Sequence, residues 1–148
     1  MKLGIDTNVL VYASFSACPQ YQDSINFLSS LHQARHQAYT SWMVLYEYLA
    51  VTTSVAAFQD EPFLFGEALQ NVMTLIEDHD ITLLGENIGQ LEFLQQWQAD
   101  LQFVIKGTRF HDCHYAALLL SHTIHNIVTY DAGFKVFPGL QVFKPDEL

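Results

Sequence analysis

Short apolar runs alternate along the chain with longer segments in which apolar residues recur at helical spacing. The short runs predict strands, and they lie at 3–5, 38–40, 81–84, 127–129 and 140–143. The longer segments predict helices, and they lie at 9–13, 20–36, 42–57, 62–78, 87–102 and 110–122. The helix at 42–57 has one non-apolar side chain, Glu47, in its first ten residues, so we expect this helix to be buried all round.

This alternation of strands and helices predicts one α/β domain over residues 1–148. Strand–helix–strand units are right-handed, so we expect a mainly parallel sheet of about five short strands with helices on both faces. Ligands of such sheets bind beyond the carboxyl ends of the strands. Asp6 follows the first predicted strand and Asp131 follows the fourth, which places both carboxylates at that edge.

Composition narrows the class of protein. A formal net charge of −10, from 16 acidic and 6 basic residues, disfavours a protein that coats nucleic acid through a broad basic face. Cys18 and Cys113 are too few for a disulfide framework. The apolar runs are far shorter than the ~18 residues of a membrane span. The first six residues reach a carboxylate where a signal peptide needs an apolar stretch, so we expect a soluble, cytoplasmic protein.

Four carboxylates occupy positions that invite a chemical explanation. Glu47 lies on an apolar helix, where it either serves as a functional acid or reaches the rim, because unpaired burial of its charge costs several kcal/mol. Asp112, Asp6 and Asp131 are individually also explained as a helix-start acid, a cap and a turn residue. Two carboxylates about 4 Å apart repel by ~4 kcal/mol at an effective dielectric constant of 20. Hard divalent cations would relieve that repulsion and could activate water for phosphodiester hydrolysis.

Four segments resemble, in order and with suitable spacing, the successive motifs of the PIN-domain ribonucleases. They are IDTNVLVYA at 5–13, VLYEYLA at 44–50, GTRFHDCHYAA at 107–117 and IVTYDAGF at 127–134. The similarity is greatest to the VapC-type toxins of bacterial type II toxin–antitoxin pairs. It covers nearly the whole chain and implies a PIN-like domain with metal-dependent endoribonuclease activity.

The resemblance also implies roles for particular residues and partners. The acidic metal and catalytic cluster would consist of Asp6, Glu47, Asp112 and Asp131, with Asp6 and Asp112 holding the principal ion. Thr7 and Asn8 would support the first acid, and the hydroxyl of Thr129 would orient the fourth. The implied cofactor is Mg²⁺ or Mn²⁺, the substrate is single-stranded or looped RNA, and the implied partners are a second copy in a homodimer and a cognate antitoxin. The basic residues near the cluster, which could contact RNA phosphates, are Lys106, Arg109 and Lys135.

Other functions remain open at this stage. The chain could be a catalytically silent PIN-fold interaction module, or a PIN nuclease of RNA processing that has no antitoxin. A zinc site at 111–114 is disfavoured, because Cys113 points away from the helix face that His111 and His114 share. A phosphoryl-accepting receiver domain is disfavoured because Asp6 has no acidic neighbour. The apolar stripes at 25–31 and 65–76 either pack in the core or cover a partner.

Overall fold

All five strands of the described chain run parallel in one sheet. The computed structural model describes residues 1–54 and 61–148. The strands are β1 (Lys2–Ile5), β2 (Gln37–Ser41), β3 (Thr82–Leu84), β4 (Asn126–Val128) and β5 (Gln141–Phe143). They are arranged in the order β3-β2-β1-β4-β5, with β1 in the centre. The predicted α/β fold with a parallel sheet is therefore confirmed.

Six α-helices cover this sheet in the described ranges. They are α1 (Thr7–Tyr12), α2 (Tyr21–Ser30), α3 (Trp42–Thr52), α4 (Phe65–Asp78), α5 (Gln90–Trp97) and α6 (Arg109–Ser121), and short 3₁₀ helices follow at Ala132–Val136 and Pro145–Glu147. The chain moves outward from β1 to β3 and then crosses back to β4 on the other side of β1. Right-handed connections therefore place α1 to α4 on one face and α5 and α6 on the other.

The change of direction creates a crevice between the ends of β1 and β4. These two strands are paired, with Ile5 opposite Val128, so the residues that follow them emerge side by side. Strand-order reversals of this kind are the usual ligand sites of open parallel sheets. The strand pairing alone therefore brings the segments after β1 and β4 together.

Close packing of α6 on β1 fixes the helix relative to this crevice. Gly4 lies so near Leu119 that a Cβ atom would come within 2.6 Å of both Leu119 methyl carbons. The apolar half of α6, residues 115–120, is buried almost completely against the sheet. Only a residue without a side chain at position 4 lets α6 approach this closely, and this approach sets the position of the helix's first turns.

Several predicted boundaries differ from the structure. The helix predicted to reach His36 ends at Ser30, because the chain turns afterwards through Arg35, whose φ of 52° is left-handed. Pro62 precedes α4 instead of occupying its first turn, and the helix begins at Phe65. The helix predicted from Asn87 begins at Gln90, because the Asn87 side chain caps the preceding turn by accepting from the Gly89 N–H at 2.9 Å.

The expectation that the third helix is buried all round is wrong. Its core face consists of residues one turn apart, namely Val44, Tyr48 and Thr52, whereas Trp42 and Tyr46 are exposed. A surface helix buries only one stripe, whatever the polarity of the rest. The helix ends at Thr52, earlier than predicted, and residue 57, the predicted end, lies outside the described residues.

The apolar stripe predicted on the fourth helix is only partly buried. Of its four residues, Val72 lies in the core and Leu69 and Ile76 are half-buried, but Phe65 is exposed on α4. Among the described helices, none has the length and apolarity that crossing a membrane requires.

Candidate active site

Asp6 is the most deeply placed acid of the crevice. It directly follows β1, adopts an extended conformation and caps the N-terminus of α1, accepting from the Thr7 N–H at 2.8 Å. Its other oxygen accepts from Asn8 Nδ2 at 2.8 Å and from Thr129 Oγ1 at 2.6 Å. With 8% of its surface exposed, this carboxylate is held in a single orientation by three donors.

Thr129 connects the ends of the two central strands. Its hydroxyl donates to Asp6 and accepts from Asn8 Nδ2 at 2.9 Å and from the Asp131 N–H at 2.9 Å. Asn8 completes the connection by accepting from the Tyr130 N–H at 3.1 Å. The Thr129 hydroxyl thus contacts the Asp131 backbone, beside the acid that the family resemblance expected it to orient, and also the Asp6 carboxylate.

Glu47 approaches the same place from α3. One of its carboxylate oxygens accepts from Thr7 Oγ1 at 2.6 Å, and the residue is exposed to solvent. The geometry supports the rim position, one of the two explanations that the sequence left open, and the role of Glu47 as a functional acid stays a prediction. Thr7 links the first two acids, since its N–H binds Asp6 and its hydroxyl binds Glu47.

The remaining two acids belong to α6 and to the turn after β4. Asp112 lies in the first turn of α6 and forms an ion pair with Arg109, with Nη1 and Oδ2 3.4 Å apart. Asp131 caps the 3₁₀ helix and accepts from the Gly133 N–H at 2.7 Å. Thr108 occupies the N-cap position of α6, so Asp112 does not cap this helix.

All four acids face one cavity of about 350 Å³. Its lining consists of the four carboxylate residues together with Thr7, Asn8, Val11, Tyr12 and Val51. Lys106 and Lys135 are exposed and do not belong to this lining in the described chain. Arg109 is engaged with Asp112 and donates from Nη2 to the Gly133 carbonyl at 3.1 Å.

Tyr115 is a supporting residue that the sequence pattern did not reveal. Its buried hydroxyl donates to the Ile5 carbonyl at 2.7 Å, and Thr40 Oγ1 donates to the same carbonyl at 3.0 Å. Both bonds fix the peptide that leads into Asp6. In the sequence, Tyr115 stands beside an apolar helical run, where an aromatic residue ordinarily indicates core packing.

Burial and the charges of neighbouring acids raise the pKa of two of the four acids, Asp6 and Asp112. Burial raises the pKa of Asp6 from 3.8 to about 7; the bonds from Thr129 and Thr7 oppose this rise, and the charges of Glu47 and Asp112 add to it. The pKa of Asp112 is also raised, chiefly by burial and further by Asp131 and Glu47, while Arg109 opposes the change. The site therefore carries more negative charge than its own cation offsets.

The chemistry of these donors fits a hard divalent cation. Carboxylate oxygens are the ligands that Mg²⁺ and Mn²⁺ prefer, and excess negative charge favours their binding. As the side chains stand in the described ranges, no three Asp, Glu, His or Cys groups converge on one ion position. An ion would thus be held through side-chain adjustment or bridging water, as is common for Mg²⁺.

Comparisons with known proteins agree with this architecture. No family model matches the chain. It is 25% identical over 145 residues to Ribonuclease VapC37 of Mycobacterium tuberculosis, covering 97% of each chain. It is 24% identical over 140 residues to Ribonuclease VapC48 of the same species, covering 95% of this chain and 94% of that protein.

Solved structures show the same fold. A chain of VapBC2 from Rickettsia felis, bound to a promoter DNA fragment, superposes with a TM-score of 0.72 at 18% identity, covering 97% of this chain and 98% of that one. A chain of VapBC-1 from nontypeable Haemophilus influenzae gives 0.68 at 16% identity, with 98% of both chains covered. The resemblance to VapC-type PIN ribonucleases that the four motifs indicated is confirmed.

The raised pKa of Asp6 predicts a pH-dependent stability of the metal-free protein. The native state keeps the Asp6 proton up to about pH 7, whereas the unfolded chain releases it near the ordinary aspartate pKa of 3.8. The stability that protonated Asp6 contributes is complete below the pKa of Asp6 in the unfolded chain. It is lost as the pH rises through the pKa of Asp6 in the folded protein. In chelator, the free energy of unfolding of Asp6→Asn should therefore rise relative to that of the wild type between pH 4 and 8, by up to about 4 kcal/mol.

Urea unfolding at several pH values measures this difference. Asp100→Asn, which alters an exposed acid on the loop after α5, is the control and should follow the wild-type curve. Parallel curves for the wild type and Asp6→Asn would show that Asp6 ionises normally in the folded protein.

Proposed function

We propose that the protein is a metal-dependent endoribonuclease that hydrolyses RNA phosphodiester bonds, and that it acts in the cytoplasm as the toxin of a type II toxin–antitoxin pair. The observation that carries this proposal is the convergence of Asp6, Glu47, Asp112 and Asp131 on one cavity at the strand-order reversal. Similarity to two proteins named ribonucleases along nearly the whole chain supports it. The active unit is a single PIN-like domain, residues 1–148.

Each acid has a distinct part in the proposed site. Asp6 and Asp112 hold the principal ion, and Glu47 and Asp131 complete the cluster or hold a second ion. Mg²⁺ or Mn²⁺ bound there supplies activation of water and stabilisation of the leaving oxygen in phosphodiester cleavage. Thr7, Asn8 and Thr129 keep the Asp6 and Glu47 oxygens in place, so that little reorientation is needed during reaction.

In this proposal few ionic contacts hold the RNA, and they lie near the cavity. Lys106 and Lys135 are exposed on the segments that precede α6 and follow Asp131, and they suit contacts to RNA phosphates. Two phosphate contacts make binding only modestly salt-dependent, since the slope of log affinity against log salt scales with their number. Affinity must then depend on the shape and bases of the RNA.

Cleavage of a pool of structured RNAs tests the proposed activity. The wild type should cut in Mg²⁺ or Mn²⁺ and stop when chelator is added. Asp112→Asn should lose more than about a hundredfold in rate, because even supporting residues of metal sites typically contribute 10- to 100-fold. Asp100→Asn, an exposed acid away from the cavity, is the matched control and should cut normally.

Other results would redirect the assignment. Cutting that persists in chelator would disprove the metal-dependent mechanism. A folded wild type that binds Mn²⁺ but cuts no RNA in the pool would favour the silent interaction module.

An antitoxin partner is proposed because the matching structures are toxin–antitoxin complexes. The exposed face of α4 suits such a partner: a groove of about 380 Å³ is lined by Leu69, Met73 and Glu77, together with Gly66, Gln70 and Thr74. Glu67 and Asp78 add negative charge to the same helix. A segment with apolar side chains flanked by basic ones would match this face in both hydrophobicity and charge.

Substitution within this groove tests the partner surface. Met73→Lys adds a like charge and removes an apolar contact, so affinity for the inhibitory protein that co-purifies from the host should fall at least about tenfold. The co-purified protein must also block RNA cleavage by the wild type. Unchanged affinity of Met73→Lys would place the antitoxin elsewhere.

A homodimer is proposed through the apolar groove between α5 and the start of α6. This groove, about 350 Å³ in volume, is lined by apolar residues including Leu94, Leu101 and Phe110, with Gln98 and Gln102 among them. Phe103 beside it is 82% exposed. None of the described lining residues carries a charge, so two copies of a chain with a net charge of −10 can meet there without repulsion between ionised lining groups.

Light scattering of the free protein tests this interface. The wild type should have the mass of a dimer at micromolar concentration. Phe103→Ser should raise the dimer dissociation constant by about 30-fold or more, the effect of losing an aromatic anchor. Met73→Lys, on the other proposed surface, should leave the dimer intact, and a strictly monomeric wild type would contradict the proposal.

A further inference from the structure

Arg109 bridges one of the four acids, Asp112, and the turn that follows another, Asp131. It is the first residue of α6, and its Nη1 is 3.4 Å from Asp112 Oδ2 on the same helix. Its Nη2 donates to the Gly133 carbonyl, 3.1 Å away on the turn after β4. One guanidinium group therefore joins the two segments that carry Asp112 and Asp131.

Gly133 is shaped for this contact. A Cβ atom at this position would lie 2.9 Å from Arg109 Nη2 and closer still to Nη1. The backbone of Gly133 does not adopt the left-handed conformation, since the described glycines with positive φ are Gly107 and Gly139. A side chain at position 133 would displace the ends of two side chains, the Arg109 guanidinium and the Asp131 carboxylate, whose Oδ1 would meet the Cβ at 2.8 Å.

Gly133 also holds the fourth acid. Its carbonyl accepts from Arg109 while its N–H donates to Asp131 Oδ1 at 2.7 Å. The contacts thus form a continuous path from Asp112 through Arg109 and Gly133 to Asp131. A planar guanidinium with several N–H donors can bridge two acceptors in this way, whereas a lysine ammonium is a single point of charge.

We propose that Arg109 is a positioning residue, which latches the first turn of α6 to the turn after β4 and so sets the separation of Asp112 and Asp131, and that it is not a contact for RNA phosphate. This role rests on the proposed function insofar as the two acids bind a metal ion. The latch itself is present in the metal-free protein and is open to test without metal or RNA.

Stability in chelator measures the latch directly. Gly133→Ala retains every charge but brings a Cβ atom against the guanidinium, so it should lower the melting temperature by about 2 to 4 °C. In an Arg109→Gln background the same substitution should have a clearly smaller effect, because its main clash is absent. Gly66→Ala, where a Cβ atom meets open space on α4, is the control, and any change that it makes through helix propensity should be the same in both backgrounds.

Calorimetric titration with Mn²⁺ alone then measures the positioning. Gly133→Ala should weaken Mn²⁺ binding about tenfold, the usual scale for a residue that supports metal ligands. Arg109→Lys retains the charge but cannot contact Asp112 and the Gly133 carbonyl together. This variant should therefore not maintain the separation of Asp112 and Asp131. RNA binding in chelator should fall for Lys106→Gln and remain unchanged for Arg109→Gln.

Two outcomes would overturn the latch. Equal effects of Gly133→Ala in both backgrounds would mean that the Cβ acts on Asp131 alone. Equal loss of RNA binding for Arg109→Gln and Lys106→Gln, with unchanged Mn²⁺ affinity of Gly133→Ala, would make Arg109 a phosphate contact. A wild type that neither binds Mn²⁺ nor cuts RNA would refute the proposed function, while the stability comparison in chelator would still decide whether the latch exists.

Discussion

The bond between the Thr129 hydroxyl and the Asp6 carboxylate is the contact on which the site depends. A carboxylate that is 8% exposed is tolerated only when its oxygens are hydrogen-bonded, and Thr129, Asn8 and the Thr7 N–H supply those bonds. Thr129 can reach Asp6 only because β1 and β4 are neighbours in the sheet. The strand order of the sheet is therefore required for this hydrogen bond of 2.6 Å to form.

The other acids are placed relative to Asp6 by packing that involves no charge. Gly4 lets Leu119 approach β1, and Tyr115 donates to the carbonyl of Ile5, so α6 is fixed both along and across the central strand. Asp112 lies one turn before Tyr115 on the same helix, so the contacts that fix α6 also fix the position of Asp112. Close-packed interiors transmit such constraints well, because few voids remain to absorb a shift. The acids can therefore be held near one another although their charges repel.

Sequence patterns predicted the sheet and the segments that carry the acids, because strand ends, caps and apolar periodicity are local signals. They did not predict which face of α3 is buried, since almost every side chain in its first turns is apolar and only the neighbours of Val44 and Tyr48 decide. The engagement of Arg109 was equally hidden, because it depends on Gly133, which is 24 residues away in sequence. That the four acids face one cavity follows from the fold, but their roles in metal binding stay predictions that geometry alone does not test.

The raised pKa of Asp6 and the net charge of −10 have a common consequence for the proposed enzyme. A cluster of carboxylates repels a polyanion, and the guanidinium beside the cluster is engaged with Asp112 and Gly133. A bound cation would therefore relieve repulsion within the protein and repulsion between protein and RNA at once. Because few lysines lie near the site to bind phosphates, the affinity of the proposed enzyme for RNA depends on the shape of the groove and on base contacts. Those contacts also discriminate among RNAs, which favours a narrow choice of substrate over general RNA degradation.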